Sequence, residues 1–322
     1  MKREPVSIVV PSYNGKELLE RYLPSVVGSL EEYPGGGEII VVEDGGDDGT
    51  AQWLKSEMKD VKVLVHDTNR GFAHAANCGV EAALNEAVLL LNNDMKPRPN
   101  FIEPLVKLLT SADDIFAVSA RSIVADGTDE SPVAISNEDG ILKIGQPGLG
   151  VSEKPFDVPV TVAYAPGGMS LFRRDVFMEL GGFDELYRPF YWEDADLSWK
   201  AWRTGMRVLH EPESAVEHLS HATIGKLYDR EKYDLENQAH MHIFNMRHLD
   251  TEMIGNYLAG VNGLASEINL YDRGVVRRSF FIALARLDEV LERRRADAAP
   301  RRSVDEIIEL SSNVPLTREA TG

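Results

Sequence analysis

In 322 residues there is one cysteine, Cys78. No intrachain disulfide can form, and a metal cluster built on cysteines is excluded. Long apolar runs are also missing: "FFIALA", from Phe280, is far too short to cross a bilayer, and the opening "MKREPVSIVV" breaks at Pro11. Neither a membrane span nor a signal peptide is therefore expected. Basic residues are scarce, with 34 Lys and Arg against 52 Asp and Glu, a formal net charge of −18. Because phosphate recognition brings a basic patch, this balance argues against nucleic acid or an anionic membrane as a partner of the chain as a whole. Neither G-x-G-x-x-G nor G-x-x-x-x-G-K-[ST] stands where a strand would end, so a phosphate cradle made of backbone is not expected. What is present is the composition of an ordinary soluble globular protein, 43% hydrophobic and 27% charged, and the cytoplasm is the expected compartment.

Four short apolar runs open the chain: "VSIVV" (6–10), "EIIVV" (38–42), "VKVLV" (61–65) and "AVLLL" (87–91). They are rich in Val and Ile and do not alternate with polar residues, which predicts strands of a parallel sheet covered on both faces. Between the first two, Leu18, Leu19, Tyr22, Leu23, Val26, Val27 and Leu30 recur at steps of three and four, predicting a helix that Pro24 should shorten or kink. Asp47 or Asp48 can cap a second helix carrying Trp53 and Leu54. The alanine-rich "GFAHAANCGVEAALNEA" predicts a third, despite Gly79. The alternation β, α, β, α, β, α, β is that of a doubly wound α/β domain. Residues 112–165 read as loops and short strands that the pattern does not place. After about residue 225 the sequence is charged and helix-compatible, with a loosely ordered tail from "DAAPRRS".

Each predicted strand ends in polar residues, where ligands of open parallel sheets bind. The ends are Pro11, Ser12, Tyr13 and Asn14; Glu43 and Asp44; Asp67, Asn69 and Arg70; and Asn92, Asn93 and Asp94. Acidic and amide oxygens in such a place suit a hard divalent cation shared with a substrate's phosphates, and an Asx turn before Pro97 is the alternative. A second cluster lies in "GGFDELYRPFYWEDADLSWKAWRTG" (181–205), where Asp184, Glu193, Asp194 and Asp196 are interleaved with Phe183, Tyr191 and Trp192. One carboxylate suffices to cap the helix that starts there, so four acids point to a site with an aromatic wall, or else to a solvated acidic helix start. In "VEHLSHATIG", His218 and His221 are candidate ligands for a metal such as Mn²⁺.

Taken together, "VSIVVPSYNG", "EIIVVEDGGDDGT", "NRGFAHAANCGV", "LLLNNDMKPRPNF", "GGMSLFRRDVFMELGGFDE", "YWEDADLSWKAWRTG" and "HLSHATIG" resemble glycosyltransferase family two, inverting enzymes of GT-A fold, and within it the bacterial rhamnosyltransferase-like polysaccharide transferases. The segments occur in the family's order over about residues 6–225. The resemblance implies a GT-A, Rossmann-like mixed sheet flanked by helices, with a C-terminal helical appendage. It implies a nucleotide-binding half (1–95), an acceptor and catalytic half (96–225) and a helical extension (226–322). Asn92, Asn93 and Asp94 match the family's DxD loop, which binds Mg²⁺ or Mn²⁺ on the donor's diphosphate; Asp94 carries most of the metal binding and His218 completes the site, with His221 the weaker candidate. Glu43 stands where the family has an aspartate that reads uracil or thymine, with Asp44 beside it. Arg70, Pro11 and Tyr13 are expected to line the nucleotide pocket, and Gly167 and Gly168 of "APGGMSLFRR" to lie beside the donor sugar and acceptor. Glu193 and Asp194 match the family's "ED" pair, Asp194 as general base.

The function implied is transfer of a sugar from a UDP- or dTDP-sugar to a saccharide or polyprenyl-linked acceptor in bacterial glycan or polysaccharide biosynthesis. The alternatives are a catalytically silent sugar-nucleotide-binding or scaffold protein, and a sugar-nucleotide nucleotidyltransferase, whose early glycine-rich loop with Arg and Lys is missing from "PSYNGKELLE". Arg273, Arg277, Arg278, Arg286, Arg293, Arg294 and Arg295 lie among Val275, Val276, Phe280, Phe281, Leu284, Leu287 and Leu291. Such a helix can lie peripherally on the inner face of the membrane; packing on the catalytic domain or on a second subunit of a homodimer is the alternative.

Overall fold

A computed structural model describes residues 4–124, 126–129, 131, 134–145, 157–218, 230–267, 270–312 and 315–316. The four apolar runs form β1 (Val6–Ser12), β2 (Gly37–Glu43), β3 (Lys62–Val65) and β4 (Ala87–Leu91), parallel to one another. Helices α1 (Lys16–Glu32), α2 (Thr50–Glu57) and α3 (Phe72–Ala82) connect them. Next come β5 (Met95–Pro97), α4 (Ile102–Leu109), β6 (Ile115–Val124) and the hairpin β7 (Ala134–Glu138) and β8 (Ile141–Gly145). They are followed by β9 (Val160–Thr161), β10 (Met169–Arg173), α5 (Arg174–Glu179), α6 (Glu193–Arg203) and β11 (Arg207–His218). The C-terminal part holds α7 (Arg230–His248), α8 (Ile254–Glu267), α9 (Leu270–Ala285), α10 (Leu287–Ala296) and α11 (Val304–Leu310).

The main sheet runs β3-β2-β1-β4-β10-β6-β11-β5, with β9 on β11. Strand β10 is antiparallel to both β4 and β6, which makes the sheet mixed. Its two faces explain the unalternated apolar runs. Val9, Ile40, Val42, Val88 and Leu90 pack with Ala73, Ala76 and Val80 of α3. Ile8, Val10, Ile39, Val41, Leu89 and Leu91 pack with Leu19 and Leu23 of α1 and Leu105 of α4. Gly79, a poor helix former, is where α3 touches the sheet: a Cβ there would lie 2.2 Å from Val9 Cγ1. Asp48 serves two helix starts, its Oδ1 accepting from Thr50 N at 3.0 Å and its Oδ2 from Lys16 N at 2.9 Å.

Two expectations differ from the structure. Of the shortening or kink expected at Pro24, the shortening does not occur: helix α1 runs for 17 residues with Pro24 inside it. The chain from Asp297, expected to be loosely ordered, is packed as far as it is described. Ser303 and Glu306 form a capping box on α11, Val304 and Ile307 are buried, and Arg302 donates to the carbonyls of Gly205 and Met206, each at 2.8 Å. An apolar pair on a seven-residue helix is too short to show periodicity. The boundary expected near residue 225 lies outside the described residues.

One guanidinium fastens the C-terminal helices to α6 and the loop before it. Arg247 of α7, with its side chain 2% exposed, bonds Asp297 at 2.7 and 2.9 Å, Asp184 at 2.9 Å and Asp196 of α6 at 3.1 Å. Asp196 is fully buried and also accepts from Tyr187 Oη at 2.9 Å and His248 Nε2 at 2.7 Å. Removing one partner of such a cluster leaves uncompensated buried charge. Arg247→Ala is therefore expected to lower unfolding free energy by about 3–5 kcal/mol, read from urea midpoints. A loss below about 1 kcal/mol would show that the cluster does not hold the helices down.

Candidate active site

The strand order reverses between β1 and β4, and in open α/β sheets ligands bind at the carboxyl ends of the strands on either side of such a reversal. The loops there are tied together. Asn93 Nδ2 donates to Ser12 Oγ at 3.1 Å, and Ser12 stands in register with Glu43. On the far side, β11 runs antiparallel to β5 with His218 opposite Met95, which carries the imidazole to the residue beside Asp94. His218 Nε2 is 3.7 Å from Asp94 Oδ2. Asp94 is 7% exposed, and its Oδ1 is buried with no hydrogen-bond partner among the described residues. A buried carboxylate oxygen left over beside an imidazole fits a divalent cation, since oxygen is the donor such ions prefer.

Glu43 and Asp44 have different roles. Asp44 accepts from His66 Nδ1 at 2.7 Å, from Arg70 N at 3.0 Å and from Gly71 N at 2.8 Å, so it is consumed in holding the loop after β3. Glu43, 1% exposed, accepts from Gly46 N at 3.0 Å through Oε1, while Oε2 has no partner among the described residues. Burial pushes its carboxyl up to about 7. Pro11 is buried, Tyr13 half-buried, and Arg70 exposed on the loop that Asp44 organises.

The "APGG" turn before β10 joins the two acidic regions. Asn92 N donates to Gly168 O at 2.9 Å, and Gly167 N donates to Asp194 Oδ2 at 3.1 Å. A Cβ at Gly168 would meet Asn92 Nδ2 at 2.4 Å, so any larger residue there would displace the Asn92 amide. Asn92 and Asp194, about a hundred residues apart, thus bond to consecutive residues of one turn.

Of the four acids Asp184, Glu193, Asp194 and Asp196, the structure separates two from two. Asp184 and Asp196 pair with Arg247 and are structural, which corrects their reading as site acids. Burial works against the charge on Asp196, but Arg247 and Lys200 overcome it and hold its carboxyl below the usual range. Glu193 and Asp194 have no cationic partner among the described residues. Burial, followed by the charge of Asp194, pushes Glu193 well above the usual carboxylate range. Burial pushes Asp194 up to about 6, opposed by the N–H groups of Gly167 and Ala195. The expected aromatic wall also divides. Phe183 and Trp192 are buried, the first against Phe72, Phe172 and Phe177 and the second against Phe244, while Tyr191 remains half-buried beside the acids.

His221 lies outside the described residues. Sequence reasoning missed the contribution of α7, one face of which holds the whole segment before and within α6. Asn237 Oδ1 accepts from Trp192 Nε1 at 2.9 Å, His240 bonds the carbonyls of Phe190 and Arg188, and Arg247 and His248 take Asp196. The spacing of those residues at 237, 240, 244 and 247 was the available signal, hidden because most of them are polar. Among the apolar residues of the arginine-rich stretch, Val275, Val276, Ala283 and Val290 are buried within the chain, while Phe281 is 67% exposed. Among the described residues, no helix is long and apolar enough to cross a membrane.

The family model of glycosyl transferase family 2 matches residues 7–181. The chain belongs to that family of glycosyltransferases. It is 31% identical over 219 residues to a pre-mycofactocin glycosyltransferase of Mycobacterium tuberculosis, covering 66% of this chain and 42% of that protein. The chain thus spans less than half the length of that relative. It is 26% identical over 246 residues to the N-acetylglucosaminyl-diphospho-decaprenol L-rhamnosyltransferase of the same organism, covering 67% of this chain and 76% of the relative. Among solved structures, GalNAc-T7 with UDP, GalNAc and Mn²⁺ superposes with a TM-score of 0.63 at 18% identity, over 95% of this chain and 56% of that one. The fold is GT-A, a mixed sheet flanked by helices with C-terminal helices, as the resemblance implied.

The raised acids have a consequence for stability. A carboxyl whose pKa rises on folding binds its proton more tightly in the folded chain, so its favourable contribution is lost as pH climbs from the ordinary carboxylate range through the folded value. The slope is at most about 1.4 kcal/mol per pH unit for one proton. Glu193→Gln removes that loss and is expected to be more stable than the wild type by a margin that widens as pH rises above the ordinary carboxylate range. Urea titrations at rising pH measure it; a margin that is constant or shrinks would mean Glu193 ionises normally.

Proposed function

We propose that the chain is an inverting, cation-dependent glycosyltransferase that moves a sugar from a UDP- or dTDP-sugar to a saccharide or polyprenyl-linked acceptor in bacterial glycan biosynthesis. The observation that carries the reading is the turn at Gly167 and Gly168, which bonds Asp194 on one side and Asn92 on the other. One structural neighbour was solved with UDP and Mn²⁺, and one relative is named for a diphospho-decaprenol acceptor; these support the donor and acceptor classes.

In this reading Asp194 accepts the proton of the acceptor hydroxyl. The freed oxygen pair attacks the anomeric carbon, and the bond to the diphosphate breaks with its electron pair leaving on the phosphate oxygen. A single displacement of this kind inverts the anomeric centre, and it needs a base on the face opposite the leaving group. Asp94 and His218 would hold a Mg²⁺ or Mn²⁺ ion, which would supply positive charge for the departing diphosphate. Asn92 and Asn93 shape that loop, with Asn93 tied to Ser12. Glu43 reads the base through its free Oε2, Pro11, Tyr13 and Arg70 line the nucleotide, and Asp44 holds Arg70 in place. Glu193, protonated, keeps a second negative charge away from Asp194. Residues 1–95 serve the nucleotide and 96–225 the acceptor, while the helices after 226 brace α6. A membrane role for the arginine-rich stretch falls to exposed Phe281 and Ile282, because much of its apolar surface is already covered.

Asp194→Asn is expected to keep donor binding while turnover falls by about a hundredfold or more, the scale of losing a general base. In the wild type, the turnover rate is expected to rise with pH through about 6, where the Asp194 carboxyl ionises. Unchanged turnover in the variant would refute the assignment. A thermal-shift panel of nucleotide sugars with and without Mn²⁺ tests donor and cation together, since a ligand of the folded state raises its apparent stability. The expected result is a shift by UDP- or dTDP-sugars that needs the metal; a shift indifferent to Mn²⁺ would overturn the cation's role.

A further inference from the structure

Three residues that the proposed reaction does not use converge beside the nucleotide loop. His66 follows β3, and His74 and Cys78 are one turn apart on the same face of α3. One donor atom from each lies within 4.8 Å of the other two. The two rings are oriented alike. His66 Nδ1 is 2.7 Å from Asp44 Oδ1, and His74 Nδ1 is 3.0 Å from Glu185 Oε1. Each carboxylate can only accept, so in each neutral ring the proton sits on Nδ1 and the lone pair is on Nε2. His74 Nε2 then faces Cys78 Sγ at 3.4 Å. A carboxylate that fixes the far nitrogen of an imidazole is the arrangement found behind histidines that ligate metals. Bonds of about 2.0–2.3 Å in a tetrahedral zinc site place neighbouring donors roughly 3.3–3.6 Å apart. The Cys78–His74 pair is already at that spacing, and the side chains of His66 and His74, 15% and 16% exposed, leave a way in for an ion.

We propose that His66, His74 and Cys78 form a transition-metal site of the two-imidazole, one-thiolate class, suited to Zn²⁺, with water in the fourth position. It is separate from the oxygen-rich region at Asp94. Thiolate and imidazole select borderline-soft ions, whereas Mg²⁺ and Mn²⁺ prefer carboxylate oxygen. The metal clamps the chain between β3 and α3. His66 is bound to the same Asp44 that holds the N–H groups of Arg70 and Gly71, so an ion on the three side chains stiffens one wall of the nucleotide crevice.

The test uses the full chain, stripped with a chelator and titrated with Co²⁺ in excess Mg²⁺. Cys78 is the only cysteine, so a near-ultraviolet thiolate-to-cobalt band can arise nowhere else in the protein. The expected result is a band that saturates at one ion per chain, is bleached by Zn²⁺, and is retained in Asp94→Asn. The band is expected to vanish in Cys78→Ser, and His74→Asn is expected to weaken Co²⁺ binding at least tenfold. Glu185→Gln is expected to weaken it about 10–100-fold, the scale for losing a carboxylate behind a ligating histidine. Absence of the band from a chain whose circular dichroism shows it folded would overturn the proposal. So would Co²⁺ affinity unaltered by His74→Asn, or a band lost in Asp94→Asn. None of these three results bears on the Mn²⁺-dependent donor shift, so failure here and failure of the glycosyltransferase reading are distinguishable.

Discussion

Three carboxylates meet on the guanidinium of Arg247, and the arrangement of the acids on α6 follows from that. Buried charges are tolerated when paired and hydrogen-bonded, and Asp196 has Arg247, Lys200, Tyr187 and His248 around it. Asp184 and Asp297 occupy the other edges of the same guanidinium, so one side chain connects α6, the loop before it and the end of α10. Helix α6 therefore cannot rotate without breaking the cluster. Its first turn is presented at a fixed angle to the "APGG" loop, and Glu193 and Asp194 are the two acids there that the cluster leaves uncompensated.

That fixed angle is reached through strained backbone. Tyr191 and Trp192, neither of them glycine, have φ of 66° and 81°. Such residues cost on the order of 1–3 kcal/mol each unless their surroundings hold them. Helix α7 does so: Asn237 takes the Trp192 indole N–H, Phe244 packs on its ring, and His240 bonds the carbonyls just upstream. The C-terminal helices are thus part of the apparatus that shapes the acid pair, and sheet and helices act as one mechanical unit around residues 188–199.

The sheet's first half was legible in the sequence because burial on both faces leaves an unmistakable run of branched residues, and the polar strand ends followed from topology. The family motifs added the pairing of "NND" with "ED". What the pattern could not show was how charge is distributed among neighbouring acids. Asp184, Glu193, Asp194 and Asp196 look alike in sequence, and only a guanidinium arriving from Arg247, some fifty residues on, separates structural carboxylates from reactive ones. The same holds for Glu43 and Asp44. Spacing marks them as a pair, but hydrogen bonds to His66, Arg70 and Gly71 decide that Asp44 is fully engaged. The tail after Asp297 was missed for a different reason, since a helix of two turns with two buried residues carries too little periodicity to register.

A single physical rule links these regions. Where the chain supplies a partner for a buried carboxylate, as at Asp44 and Asp196, the group is held rigid and unavailable. Where it withholds one, as at Glu43 Oε2 and Asp94 Oδ1, or supplies N–H groups but no cation, as at the Glu193–Asp194 pair, the group keeps a capacity to bind a proton, a base edge or a cation. Desolvation raises the free energy of these uncompensated groups, and a ligand that completes their bonding relieves it. A protein evolving for stability alone would have paired them. Glu43 and Asp94 stand at the carboxyl ends of β2 and β4, and Asp194 is tied to the same region through Gly167 and Asn92. Two carboxylate oxygens left without a hydrogen-bond partner, Glu43 Oε2 and Asp94 Oδ1, thus lie at the strand ends where strand order reverses, and together with the Glu193–Asp194 pair they mark that region as a place for chemistry.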